Sequence, residues 1–260
     1  MKHIFLISGL ILLFCTAAYL MVEEQFIKPG SVPVDHQAFD ELLKKHVDEN
    51  GWVNYKGFLK DQEALDSYLD LISNNPPDPE TWTEEEQLAY WINAYNAFTI
   101  KLIMDHYPLK SIKDIQISIP GIYTVWHKEF FEIGGEPSSL DAIEHKILRK
   151  KFDEPRIHFA IVCASISCPP LRREAFTAEK LEVQLQEQGE LFINDPERNK
   201  ISSKRVKLSK IFSWFKGDFT KKGSLVEYLN QFSKTTIEPK AKLSYLDYDW
   251  GLNEQQGSDQ

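Results

Sequence analysis

The sequence predicts an α+β domain, with a mixed α/β arrangement as the alternative: a buried central helix and several further helices packed on a small mixed or antiparallel sheet. Three observations predict it. The helical pattern from Thr83 to His106 is apolar around nearly its whole circumference, which suits a buried helix. Stretches with helical spacing lie on both sides of it, and short alternating or β-branched runs are scattered between them. At 260 residues, 42% hydrophobic and 12% aromatic, the chain can bury one substantial core.

Residues 1–25 read as a targeting element. Lys2 and His3 precede an uncharged run from Ile4 to Val22, and Glu23-Glu24 follow. The run could just span a bilayer as an anchor, or be a cleaved signal with Thr16-Ala17-Ala18 at the cleavage site. Phe14 before Cys15 is too bulky for a usual lipidation site. Each reading puts the domain outside the cytoplasm, on the periplasmic side, with the N-terminal segment as its membrane contact, where disulfides can persist. Residues 26–35, with Pro29, Gly30 and Pro33, read as a linker; 36–252 as a single globular domain; and 253–260 as a frayed tail. A net charge of −9 with dispersed acidic residues argues against a nucleic-acid partner.

Within the domain, Phe39, Leu42, Leu43 and Val47 have helical spacing, and Trp52 to Tyr55 suggests a short extended piece. A second helix is expected from Lys56 to Ile72, ending at the Asn74–Pro79 cluster. Thr83 to Glu86 is a capping box for the central helix. Trp126 to Ile133 alternates as a strand, with a turn at Gly134-Gly135. Ser138-Ser139 opens a helix to Arg149, Ile157 to Val162 reads as a buried strand, and Thr177 caps a helix to Asn194. Arg205 to Leu208 reads as a strand, Ser224 to Phe232 as a helix, and Leu243 to Trp250 as a late aromatic strand.

The residues that suggest chemistry cluster in three places. Asn93 and Asn96 lie three apart on one face of the central helix, where buried amides need partners: they either tie the helix to backbone or line a site. Asp141, His145 and Arg149 form a polar ridge, either an orienting carboxylate for an imidazole or a surface ion pair. Cys163 and Cys168 lie in a small Ser/Pro turn directly after the predicted strand, a position at which α/β architectures place reactive groups.

Several of these runs resemble the domain-of-unknown-function family numbered 547: Trp91 to Ala97, Ser139 to Arg149, His158 to Cys163, Ser165 to Leu171, and Tyr248-Asp249-Trp250, in that order. The resemblance covers roughly residues 50–252. It implies a bacterial exported protein whose activity the family name leaves unassigned. It also implies that Asn93, Asn96, Glu144, His145, Arg149 and Cys163 belong to the widely shared pattern, while His158 and Cys168 vary, with serine in place of Cys168 in plant-type relatives.

Three mechanisms fit these residues. In the first, a cysteine-dependent hydrolase or acyltransferase uses Cys163 as nucleophile and His145 as base. Glu144 or Asn96 orients the imidazole, and Asn93, Arg149, Ser165 and Ser167 bind substrate. In the second, Cys163 and Cys168 form a thiol site, redox-active or structural, or hold a metal with His158 and His145, although no paired metal-ligand spacing is present. In the third, the domain is a non-catalytic envelope binding or scaffold module for a peptide, small molecule or protein. No cofactor is implied.

Overall fold

The computed structural model describes residues 32–115 and 124–257. The run Ile4–Val22 lies outside these residues, and among the described residues no helix is long and apolar enough to cross a membrane. The fold is α+β, with two small sheets beside a larger helical part.

Helix α1 (Gln37–His46) buries Phe39, Leu42 and Leu43, as its spacing requires. The helix expected from Lys56 to Ile72 is instead two, α2 (Tyr55–Lys60) and α3 (Gln62–Asn74). The break falls at Asp61, whose carboxylate is held by Lys45 and His46 at 2.5 and 2.6 Å. Helix α4 (Glu84–Met104) begins in the expected capping box at Thr83. Every residue from Leu88 to Ile100 is buried, so α4 is the axis of the main core.

The strand expected from Trp126 is shortened to β1 (Phe131–Ile133), because Val125–His127 closes as a 3₁₀ turn with Thr124 Oγ1 2.9 Å from His127 Nδ1. β1 pairs antiparallel with β2 (Glu136–Ser138) across Gly134-Gly135, both at positive φ. Ser139 then accepts the Ala142 N–H and starts a π-helix, Ala142–Leu148, that runs into α5 (Arg149–Lys151). A π-helical stretch is rare, and often marks a functional site.

Residues 157–160, expected to be a strand, form the single turn α6 (Ile157–Ala160). All four residues are buried, and an uninterrupted apolar run has no period to separate strand from helix. Helix α7 (Leu181–Ile193) starts later than expected; the Thr177 N–H donates to Gln184 Oε1 instead of Thr177 capping it. The second sheet is mixed: β3 (Lys200–Ile201) is antiparallel to β4 (Arg205–Leu208), which is parallel to β5 (Lys242–Tyr245). Between β4 and β5 lie α8 (Ile211–Trp214), α9 (Lys216–Phe219) and α10 (Leu225–Leu229). Phe159, Phe192, Phe212 and Phe219 join this part in a second apolar cluster.

The late strand stops at Tyr245 because β4 ends at Leu208, the acceptor for the Leu246 N–H. The chain then turns back along the Cys163 loop. Residues 253–255, expected to be frayed, are tied down: Asn253 accepts from Tyr55 Oη at 2.7 Å, and the backbone of Val53 bonds to Asn253 and Gln255.

Candidate thiol site

The two asparagines of α4 position the site by fixing backbone. Asn96 donates to the Ala160 carbonyl and accepts from the Val162 N–H, each at 2.9 Å. Asn93 brackets Phe176 in the same way, at 2.8 and 2.9 Å. Both amides are thereby spent on main chain, and Asn96 sets the segment that ends at Cys163.

Ala164 follows with φ +58°, a left-handed conformation that costs a non-glycine residue roughly 1 kcal/mol. It reverses the chain so that Ser165 faces Cys163. The surroundings hold this turn closed. Ile166 and Ser167 donate their N–H groups to the Gly251 and Asp249 carbonyls, and Ala164 accepts from Asn253. Ser167 Oγ accepts from the Asp249 N–H, and Arg198 donates to the carbonyls of Ile166 and Cys168.

Cys163 is half-buried and Cys168 is buried, and both are free thiols. Their sulfurs are 2.9 Å apart, and the Cys163 N–H points at Cys168 Sγ at 3.0 Å. Ser165 Oγ and Tyr248 Oη approach Cys163 Sγ at 3.1 and 3.3 Å. The Cys168 thiol, followed by the Ser165 and Tyr248 hydroxyls, lowers the Cys163 pKa to about 7 against the cost of burial. Burial and the neighbouring Cys163 push the Cys168 thiol up. The pair therefore divides into a thiolate and a thiol.

Glu144, on the π-helix, lines the same cavity and is 8% exposed. Burial first, and the Cys163 charge second, raise its pKa to about 8. Tyr95 Oη lies 3.5 Å from its Oε2. At neutral pH Glu144 is a protonated acid beside a partly ionised thiol.

His145 is directed elsewhere. Among the described residues, the side chains that meet Cys163 Sγ are Cys168, Ser165 and Tyr248. Arg149 donates to His145 Nδ1 at 2.7 Å, so Nε2 carries the proton and faces Asp141 at 3.6 Å. Burial pulls the His145 pKa down, against the Asp141 carboxylate. Arg149 also grips Asp218, whose other partner is His158 Nε2 at 2.8 Å. Asp218 is partly desolvated, yet these hydrogen bonds hold its carboxyl far below the ordinary range. His158 stacks on Phe215, with ring centroids 3.9 Å apart.

His127 Nε2 reaches the same Asp141 oxygen at 3.4 Å. The Nδ1 atoms of both His127 and His145 accept hydrogen bonds, from the Thr124 N–H and from Arg149. Each Nε2 is thus protonated and offers no lone pair to a metal. His158 Nε2 is taken by Asp218, away from the thiols. Among the described residues, no group of three or more His, Cys, Asp or Glu side chains is arranged to hold a metal ion.

Cys163, Cys168, Glu144 and the three histidines His127, His145 and His158 line a cavity of about 270 Å³. Its lip is aromatic: Tyr248 packs on Trp250 and Trp214 at 4.5 and 4.7 Å, and Trp126 on Trp250 at 5.5 Å. Trp126, His127, Trp214, Phe215 and Asp218 belong to the site and were not singled out from the sequence. Asp218 did leave a trace, as the one acidic residue between Glu197 and Glu227 in a lysine-rich stretch. Trp126 and His127 were concealed by the strand reading of their segment.

No curated protein and no solved structure matches the chain. The family model described as "Protein of unknown function, DUF547" matches residues 79–193, which span α4, the π-helix and both thiols. The match assigns residues 79–193 of the chain to the DUF547 family.

Proposed function

We propose that the domain carries out thiol–disulfide exchange, with Cys163 as the attacking thiolate and Cys168 as the resolving thiol. The observation that carries this reading is the 2.9 Å contact between a half-buried, acidified sulfur and a buried one. In the reaction, Cys163 S⁻ attacks one sulfur of a substrate disulfide. The first substrate thiolate leaves and takes a proton from Glu144. Cys168 then passes its proton to the Glu144 carboxylate and attacks Cys163 Sγ, releasing the second substrate thiolate, which takes a proton from water. Two electrons pass from the protein dithiol to the substrate disulfide. The aromatic lip suits an apolar substrate face. The N-terminal run, read as an anchor or signal, supports a setting outside the cytoplasm for this chemistry. Such exchange is a property of chains that, like this one, keep both thiols.

Acyl transfer or hydrolysis through Cys163 is the second reading, favoured by the acid Glu144 beside the thiol. The loop offers few free donors for an anion, because the N–H groups of Ile166, Ser167 and Cys168 are given to the Gly251, Asp249 and Ser165 carbonyls. His145, Arg149 and the two asparagines then act as positioning groups in either reading.

A stoichiometric assay separates the two. Reduced protein carrying Cys15→Ser, so that Cys163 and Cys168 are its two thiols, is mixed with 5,5′-dithiobis(2-nitrobenzoate), and released thionitrobenzoate is followed together with protein mass. The expected result is two equivalents released and a protein lighter by two hydrogens. Cys168→Ser should release one equivalent and retain one adduct. A parent protein that carries an adduct on each cysteine, or on Cys163 alone, would refute the exchange.

A further inference from the structure

The charge of the chain is unevenly distributed, and the excess of cations falls on one sheet. Residues 198–242 hold twelve lysines and arginines against three acidic residues, a +9 segment inside a chain of net −9. In β4, Val206 and Leu208 face the core, which leaves Arg205 and Lys207 on the outer face. The register places Lys207 directly opposite Lys200 on β3, and Arg205 directly opposite Lys242 on β5. All four side chains are exposed. Among the described residues none of them is in an ion pair.

Like charges directly opposite one another destabilise a sheet. Here the arrangement occurs twice on adjacent strand pairs, although acidic residues are abundant in the rest of the chain. The cations are also not on a flat surface. Lys200, Arg205 and Lys207, with Lys234 from the segment after α10, line a depression of about 840 Å³ in which Glu197 is the carboxylate. Adjacent strands are about 5 Å apart and alternate residues on one strand about 7 Å. The charges are therefore spaced to meet several anionic groups on one ligand.

We infer that this sheet face is a binding site for a ligand carrying clustered phosphate groups, either a soluble polyphosphorylated molecule or the headgroups of anionic lipid. The site is separate from the thiol cavity, shares no lining residue with it, and stands whether or not the exchange reaction does. Neutralisation of the opposed cations provides the attraction, and the acidic remainder of the molecule orients the basic face toward its ligand.

The test is amine labelling of the full chain, held in neutral detergent micelles, with each lysine followed by mass spectrometry. One arm adds tripolyphosphate; a second dopes the micelles with phosphatidylglycerol; controls use chloride at matched ionic strength and an oligothymidylate. The expected result is at least threefold slower labelling of Lys200, Lys207 and Lys242 in the first or second arm, with Lys60 unchanged. Protection by tripolyphosphate assigns a soluble ligand, and protection by phosphatidylglycerol alone assigns lipid. Arg205→Glu should abolish protection while leaving Cys163 alkylation unaltered. Protection by neither phosphate source, equal protection by chloride, or protection by the oligothymidylate alone would overturn the inference.

Discussion

Glu144→Gln is expected to raise the thermal midpoint at pH 8 by about 10 °C while changing it little at pH 4.5. The effect arises from proton linkage. Burial and the Cys163 charge hold the Glu144 carboxyl protonated up to about pH 8, whereas in the unfolded chain it ionises near 4.5. The folded-state value is raised, so its contribution to stability is full below the unfolded value and is lost as pH rises through 8. At about 1.4 kcal/mol per pH unit, the loss across that window is at most about 5 kcal/mol. Glutamine does not titrate and does not incur it. For a domain of this size each kcal/mol moves the midpoint by about 2–4 °C. Melting curves of both proteins at the two pH values check the prediction. An equal difference at both would show that Glu144 is not held protonated.

The second large effect is on the reactivity of Cys163. With its pKa near 7, alkylation should rise steeply between pH 6 and 8 and then level off. The Cys168 thiol is the leading cause of that low value, so Cys168→Ala should move the profile up toward the ordinary thiol range near 9. The expected consequence at pH 7 is a reaction slower by up to about fiftyfold, since the thiolate falls from about half of the population toward about one per cent. His145→Ala should leave the profile in place, because the imidazole nitrogens are engaged by Arg149 and Asp141. A profile that follows His145 and ignores Cys168 would restore the histidine as base. Alkylation rates over a pH series, read by mass spectrometry, decide the matter.

The contrast between these two residues indicates what the sequence carried. The capping box at Thr83, the buried circumference of α4 and the hairpin turn at Gly134-Gly135 are local signals, and each appears where the pattern put it. The three segments singled out from the sequence, α4, the Glu144-His145 segment and the Cys163 turn, do meet at one cavity. The partner relations were not legible. A helical ridge of Asp141, His145 and Arg149 suggests an imidazole ready to act. Only tertiary structure places Asp218 against Arg149 and His158, and engages the His145 imidazole with Arg149 and Asp141 while the buried Glu144 carboxyl feels the Cys163 charge. Residues 157–160 failed as a strand for a different reason. Their run is apolar throughout, so nothing in its period distinguishes the two conformations, and the hydrogen bonds from Asn96 and Gln188 that shape it come from distant chain. The charged face of β3, β4 and β5 was readable as composition but was hidden by averaging charge over the whole chain.

Thiol–disulfide exchange requires that Cys163 and Cys168 form one exchangeable pair. The most direct measurement is to equilibrate the protein with dithiothreitol buffers of graded redox poise, quench, and count alkylated thiols by mass. Cys163 and Cys168 should be lost together in a single two-electron step, reversible on returning to reducing buffer. A Cys163 that stays alkylatable in the fully oxidised buffer would contradict it, as would two cysteines that react only after unfolding.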